Sequence, residues 1–288
     1  MKRALLLAGA TVAITLTSSL PAGAAQVDPD AARPATPAAI GVYAPKAKPP
    51  PLPGSAADDR AGELGTAAAT QFLYAQAAQT ATSGGAFAWF DVARPPLSTS
   101  DAHTLAELAV SSADGKQIVE VGWTVDRAVN NGSAEPHLFV YHWVDGQPTC
   151  YNGCGFVPRA GGGGPAGKKL TPGTVQYLTI RHAPGAWWIS ADGVGWLGYF
   201  PDSLWGGRFT QAGVQQWFGE VAASSATPCT DMGNGLFSSS TSATRIYNIG
   251  LWDSPATPSI VTGHTHPSYY TATRTDGRSM RHGGPGAC

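Results

Sequence analysis

The sequence is poor in charge: only 13% of its 288 residues are Asp, Glu, Lys or Arg, where roughly 25% is usual. Its 18 basic and 19 acidic residues leave a net charge of −1, so there is no basic surplus for a nucleic-acid-binding face. The low charge also argues against long helices rich in Glu and Lys. Beyond the N-terminal region, no apolar run is long enough to predict a membrane span. We therefore expect neither nucleic acid nor a membrane as a partner of the mature chain.

Several common catalytic motifs are also missing. There is no Gly-x-Ser-x-Gly nucleophile elbow and no His-Glu-x-x-His helix for zinc. The glycine run at 161–164 is not followed by the Lys-Ser/Thr of a phosphate-binding loop. The His264-Thr265-His266 segment has no third ligand nearby and is predicted to be a polar loop. The sequence therefore predicts no metal and no cofactor.

The N-terminus has the pattern of a secretory signal peptide. Met1-Lys2-Arg3 is positively charged, and the apolar stretch 4–20 leads to small residues that end at Ala25. We expect cleavage near Ala24 or Ala25, which makes residues 1–25 a signal peptide and the protein secreted.

The four cysteines fit an exported protein with two disulfides. Three pairings are possible. Cys150 and Cys154 flank a tight loop with an Asn-Gly turn signal, so we pair them, which leaves Cys229 for Cys288. A zinc site is the less favoured alternative, because no matching pair of histidines accompanies the Cys-x3-Cys spacing.

The composition divides the remaining chain in two. Residues 26–64 are rich in Ala and Pro, and the proline cluster at 44–54 excludes helix and inner strand, so this part is predicted to be an extended linker or a short propeptide. Residues 65–288 are predicted to form one domain, in which short apolar runs alternate with turn signals. Many short strands of this kind predict an all-β sandwich or barrel. The predicted strands are 86–92, 117–125, 138–143, 175–180, 187–190, 194–199, 213–221 and 244–252, with a short helix at 98–108.

The chemistry must come from few side chains. Of the five glutamates, Glu120 and Glu220 lie inside predicted strands. Strand alternation places Val119, Val121, Trp123 and Val125 on the core face and Glu120 on the opposite face, beside Gly122, which leaves room next to the carboxylate. In the second strand, Glu220 shares a face with Gln216 and Phe218.

A carboxylate in the middle of a strand among aromatic residues destabilises the fold unless it is paired or protonated. If the faces that carry Glu120 and Glu220 meet in one groove, repulsion raises one pKa and leaves the other group ionised. An acid and a base then share one site, as hydrolysis by an activated water requires. The alternative for each residue alone is a rim glutamate that is hydrogen-bonded to an arginine or a turn amide.

Several segments resemble the neprosin family of glutamic peptidases, in the same order along the chain from about residue 85 to 288. Residues 120–125 are similar to the family's Glu-x-Gly-Trp-x-Val, and 150–157 to its Cys-Tyr-Asn…Cys-x-Gly-Phe-Val. Residues 187–188 and 198–204 resemble its Trp-Trp and Gly-Tyr-Trp-Pro-x-x-Leu elements. Further similar segments are 217–221 (Trp-Gly-Gly-Glu in the family), 232–235 (Met-Gly-Ser-Gly), 283–286 and the terminal cysteine.

The resemblance implies an antiparallel β-sandwich of the concanavalin-like or jelly-roll type. It also implies an endopeptidase that cuts peptide or protein substrates after proline and works best in acid. The family's two catalytic glutamates carry over to Glu120 and Glu220, one as base and one as acid.

We predict that Trp123, Tyr151, Gln216, Trp217 and Phe218 bind the substrate, although alternation favours a core position for Trp123. The sequence departs from the family in Phe218, where the family has glycine, and in the loop at 161–164. Only about 60 residues lie between the predicted signal peptide and the matched region, where plant members carry a long activation domain.

Two other functions fit the same features. Paired carboxylates and exposed tryptophans on a sandwich also suit a glycoside hydrolase. A binding module without catalysis would use the same aromatic groove for a glycan or a proline-rich peptide.

Overall fold

The structure is a computed structural model that describes residues 41–55, 70–159, 166–191 and 195–288. Within these ranges the chain forms fifteen β-strands and one short 3-10 turn at Asp202–Trp205, which confirms the predicted all-β class. The strands are β1 (Gln71–Ser83), β2 (Gly85–Asp91), β3 (His103–Ser111), β4 (Ile118–Asp126), β5 (His137–Val144), β6 (Gln147–Pro148), β7 (Val157–Pro158), β8 (Val175–Ala183), β9 (Ala186–Ala191), β10 (Trp196–Pro201), β11 (Ala212–Ala223), β12 (Arg245–Trp252), β13 (Val261–His264), β14 (Thr271–Asp276) and β15 (Ser279–Gly283).

Some sequence predictions lie outside the described residues. They are the signal peptide, the parts of 26–64 before residue 41 and after residue 55, the glycine loop at 161–164 and the first residue of the predicted strand 194–199. No helix in the described part of the chain is long and apolar enough to cross a membrane.

The strands form two antiparallel sheets that pack face to face. The seven-stranded sheet has the order β13-β1-β11-β3-β4-β5-β6, and the eight-stranded sheet has the order β14-β15-β12-β2-β8-β9-β10-β7. The core between them is filled by alternate residues, among them Val121 and Trp123 from β4 and Ile180 and Ile189 from the opposite sheet. The sandwich and the core face predicted for β4 are both confirmed.

The predicted helix at 98–108 is wrong. His103–Ser111 is β3, which pairs with β11 on one side and β4 on the other, in the middle of the seven-stranded sheet. Its Leu, Ala and Glu residues favour helix in isolation, but every residue of this strand is buried. Pairing on both edges satisfies the buried backbone groups, which overrides local propensity. The alanine-rich strand β1 was not predicted, for the same reason.

Both predicted disulfides are present: Cys150 is bonded to Cys154, and Cys229 is bonded to the terminal Cys288. The second bond fixes the C-terminus beside the loop that precedes Met232. The main chain of Met232 pairs there with Gly284.

The segment predicted to be an extended linker is packed on the sandwich. Residues 41–55, called the strap below, cross the outer face of the seven-stranded sheet. Val42 and Tyr151 exchange two backbone hydrogen bonds of 3.1 and 2.9 Å. Beneath the strap lies a second apolar cluster, separate from the core, that includes Phe139, Tyr151 and Phe218. A sheet face that would otherwise meet water is therefore enclosed.

The two disulfides should contribute unequally to stability. The Cys229–Cys288 bond closes a loop of 59 residues, and chain-entropy estimates give it about 4 kcal/mol. The Cys150–Cys154 bond closes a loop of 4 residues and is given about 2 kcal/mol. Replacing Cys229 and Cys288 together by serine should lower the free energy of unfolding by about twice as much as the same change at Cys150 and Cys154. Urea denaturation of the two variants measures the difference. Equal losses would contradict the loop-length argument.

Candidate active site

The outer face of the seven-stranded sheet carries three buried glutamates on one diagonal. Glu120 of β4 lies opposite Ala109 of β3, and Glu220 of β11 lies opposite Leu105. Glu107 is between these two positions on β3, so it is a diagonal neighbour of both. Diagonal neighbours on adjacent strands lie about 7–8 Å apart at the backbone, within reach of two glutamate side chains. All three side chains are fully buried.

Lys46 of the strap enters the middle of this row. Its Nζ lies 2.7 Å from Glu107 Oε1 and 3.3 Å from Glu120 Oε2, and its side chain has no exposed surface. The rings of Phe139 and Phe218 flank the ammonium group at 5.8 and 5.9 Å from their centroids. The strap therefore supplies a buried cation to a site that is crowded with carboxylates.

The electrostatics separate the three carboxyl groups. Burial raises the pKa of Glu107 well above its usual value; the charge of Glu120 adds to this, and Lys46 opposes it. Burial also raises the pKa of Glu120, against the effects of Lys46 and of Trp143, whose Nε1 donates a 2.8 Å hydrogen bond to Glu120 Oε1. Both groups thus hold their protons at a higher pH than an ordinary glutamate.

Glu220 behaves in the opposite way. Burial again acts to raise its pKa, but Lys46 and a hydrogen bond from His103 outweigh burial, and the pKa is lowered. The His103 Nε2 to Glu220 Oε1 distance is 2.7 Å. Tyr74, opposite Glu220 on β1, also helps to lower the pKa of this carboxyl group. One face of the sheet therefore holds a readily ionised carboxylate and two that favour the neutral form, which is the division of charge that acid–base chemistry needs.

Hydrogen-bonding capacity remains in the site. Among the described residues, no donor contacts Oε2 of Glu107 or Oε2 of Glu220. Each of these oxygens keeps the capacity to accept a further hydrogen bond.

The cleft is the outer face of the seven-stranded sheet around Glu107, Glu120 and Glu220. The strap is also held there through its carbonyl groups. Gln216 and Gln76 donate from Nε2 to the carbonyl oxygens of Pro50 and Pro51, each at 2.7 Å. Weaker contacts of 3.4 Å run from Tyr151 Oη to Pro45 O and from Tyr74 Oη to Lys48 O. Since proline has no N–H to offer, side-chain donors that recognise only carbonyls suit a proline-rich chain.

The residues predicted to bind substrate divide between two faces. Tyr151, Gln216 and Phe218 lie on the cleft face, where the strap covers them. Trp123 and Trp217 point instead into the core between the sheets, with no exposed surface, so their prediction as cleft walls is wrong. Residues next to each other in a strand face opposite sides, so Trp217 cannot share the face of Phe218.

Sequence reasoning missed several side chains that touch this site, among them Glu107, His103, Lys46 and Tyr74. Glu107 and His103 were assigned to the predicted helix; strand alternation from His103 would have placed both on one face. Lys46 belongs to a segment that was read only as a linker, and Tyr74 to the unpredicted β1. A lysine in an otherwise apolar, proline-rich segment was the available signal for Lys46.

The protein is therefore an all-β sandwich whose cleft contains a row of enclosed carboxylates on one sheet. The model of the Neprosin family matches residues 100–285. Because the match covers more than half of the chain, the protein belongs to the neprosin family. Family and site together support a glutamic-type peptidase.

Solved structures to which the chain is similar include a scytalido-glutamic peptidase bound to a transition state analog inhibitor. It shares 7% identity, with a TM-score of 0.49, over 75% of this chain and 99% of that one. A member of the Eqolisin family of peptidases in complex with the tripeptide Ala-Ile-His shares 7% identity, with a TM-score of 0.38, over the same shares of the two chains.

Gly122 should be needed for the packing of the row. A Cβ at this position would lie 2.6 Å from Glu107 Cβ and 2.8 Å from Phe139 Cε1, and would also collide with the carbonyl oxygen of Ala106. Gly122→Ala should therefore destabilise the fold by about 1–3 kcal/mol in urea denaturation. Gly277→Ala is the matched control, since its new Cβ would meet only Pro258 O, at 3.4 Å. Equal stability of the two variants would contradict the close packing.

Proposed function

We propose that this protein is a secreted glutamic endopeptidase that hydrolyses peptide bonds after proline and is most active in acid, with Glu120 and Glu220 as its catalytic pair. The observation that carries the proposal is the diagonal of buried glutamates with opposed pKa shifts. Family membership supports the same reaction. The two disulfides and the N-terminal sequence support secretion.

The reaction needs only the side chains of the cleft. Ionised Glu220 accepts a proton from a water molecule as the water oxygen attacks the scissile carbonyl carbon. Protonated Glu120 donates a hydrogen bond to the carbonyl oxygen, where negative charge develops. When the C–N bond breaks, one of the carboxyl groups returns a proton to the leaving amine. Glu107, whose pKa is raised even when paired with Lys46, stays neutral between them.

Proline-containing substrates fit the way in which the strap is held. Gln76 and Gln216 donate hydrogen bonds to the carbonyl oxygens of two successive prolines. These contacts require no N–H from the bound chain. The rings of Phe139 and Phe218 supply flat apolar walls for a proline ring once Lys46 has left. Peptide or protein chains rich in proline are therefore the proposed partners.

The strap must leave before a substrate can bind, because it fills the cleft and pairs with the carboxyl groups. We therefore assign residues 26–64 to a short propeptide. Under the strap, burial raises the pKa of Glu107 and Glu120, and Lys46 opposes that rise. Lys46 also holds the strap in place through its contacts with both carboxyl groups, so the loss of these contacts should favour release.

Substituting the catalytic pair should abolish peptide cleavage. Glu120→Gln and Glu220→Gln should each lower kcat/KM by about a hundredfold or more, since each removes an acid or base. Proline-containing peptides, incubated in acid with the secreted full-length chain and sequenced by mass spectrometry, provide the measurement. Glu135→Gln is the control, because Glu135 lies outside the cleft and pairs with Arg94. In the wild type, activity should fall as rising pH removes the proton from Glu120.

Three outcomes would contradict the enzyme proposal. Unchanged cleavage by either glutamate variant would remove that residue from the reaction. A flat pH profile from about pH 3 to about pH 8 would exclude a mechanism that needs one protonated carboxyl. Peptide binding without cleavage, in a chain whose strap has been released, would identify a binding module instead.

Removing Lys46 should speed the release of the strap. In Lys46→Ala, the strap loses its contacts with Glu107 and Glu120, so it should leave more readily and cleavage should begin without a lag. Intact-mass analysis follows the loss of the strap, and a time course follows peptide cleavage. Lys48→Ala is the matched control, since Lys48 is in the same segment but its side chain is exposed. The same lag for both variants would contradict the role of Lys46.

A further inference from the structure

Behind Glu220 lies a second set of buried ionisable groups that the proposed reaction does not use. His103 Nε2 is 2.7 Å from Glu220 Oε1, and His103 Nδ1 is 3.6 Å from Asp126 Oδ2. All three side chains are fully buried. The imidazole is thus enclosed between two carboxylates, on the side of Glu220 that faces away from Glu107.

The sheet fixes this arrangement from both sides. His103 and Asp126 are direct cross-strand partners at the ends of β3 and β4. Asp126 Oδ1 accepts hydrogen bonds of 2.8 and 3.1 Å from the backbone of Ala128 and Val129, which leaves Oδ2 facing the imidazole. The ring of Phe72 packs against the His103 ring at 6.3 Å between centroids. These contacts orient the ring and the carboxylate toward each other.

The other charged and titratable groups around Glu220 come from several elements. Lys46 reaches it from the strap, Tyr74 from β1, and the carboxyl groups of Glu107 and Glu120 from β3 and β4. Lys46 leaves the cleft when the strap is released. Among the described residues, His103 is then the cation in hydrogen-bond contact with Glu220. The neighbouring carboxyl groups of Glu107 and Glu120 oppose the ionisation of Glu220.

We propose that His103, oriented by Asp126, is a positioning residue that remains an imidazolium and keeps Glu220 ionised and aimed into the open cleft. This inference rests on the proposed function and deepens it, because it says what keeps Glu220 ionised as the base that takes the proton from water. His103 itself touches neither the water nor the peptide.

The protonation of His103 has direct physical support. Burial acts to lower its pKa, but Asp126 and Glu220 outweigh burial, and the pKa is raised. An ordinary histidine, with a pKa of about 6.5, is already charged under acidic conditions. His282, which is equally buried in the protein, has its pKa lowered to about 4, because burial dominates there. The two carboxylates therefore account for the difference between these two histidines.

Two full-length variants test the role through the pH profile of kcat/KM after release of the strap. His103→Gln removes the charge, so the pKa of Glu220 should rise and the acidic limb should move to higher pH by about one unit or more. The basic limb, set by Glu120, should stay in place. In Asp126→Asn, Oδ1 can still accept the hydrogen bonds from the backbone of Ala128 and Val129. This variant should move the acidic limb in the same direction by a smaller amount.

The matched control is His182→Gln, in the eight-stranded sheet. His182 Nε2 also contacts a carboxylate, Asp202, at 3.1 Å, but far from the cleft. This variant should leave both limbs in place. A loss of activity in His103→Gln and Asp126→Asn without a shift of the acidic limb would mean a structural role only, and it would overturn the proposal.

A second readout does not depend on activity. In the 15N-histidine-labelled full-length chain, the ring signals of His103 are those lost in His103→Gln. They should report a doubly protonated ring to a pH above the usual midpoint of about 6.5, and Glu220→Gln should lower that midpoint. A neutral ring at about pH 5 would overturn the proposal. If the wild type cleaves no peptide, the proposed function fails, but the midpoint still decides whether His103 and Glu220 are coupled.

Discussion

The structure depends on the burial of three carboxyl groups on one face of one sheet. Ionised carboxylates are strongly destabilised in an enclosed apolar site unless they are paired or protonated. Glu107, Glu120 and Glu220 meet this constraint in two ways, through the cation Lys46 and through retained protons. The enclosure, the opposed pKa shifts and the docking of the strap all follow from the same electrostatic requirement.

The two cations near this row have different origins and therefore different roles. Lys46 comes from a segment that is attached to the sheet by a few hydrogen bonds and an apolar cover, so it can leave. His103 belongs to β3, which is paired on both edges, so it stays. In the proposed enzyme, Lys46 keeps the cleft closed until the strap leaves, and His103 keeps Glu220 ionised as the base.

Much of the candidate site followed from strand alternation. That rule places Glu120 opposite the core face of β4 and puts Glu220 beside Phe218, and the structure confirms both placements. The same rule, applied to Trp217, would have removed it from the predicted cleft. Glu107 and His103 could not be found in this way, because their segment favours helix locally. Only its position between β11 and β4 makes it a strand.

The sequence by itself determined the all-β class, the two disulfide pairs, the family resemblance and the pair Glu120 and Glu220. These depend on short-range patterns: alternation, turn residues, cysteine spacing and motif order. Only the tertiary structure decided that a third glutamate joins the pair, that Lys46 neutralises the row and that His103 supports Glu220. Those contacts join residues that are 61 and 117 positions apart. No local pattern encodes such pairs, because they arise when separate strands and the strap pack on one sheet face.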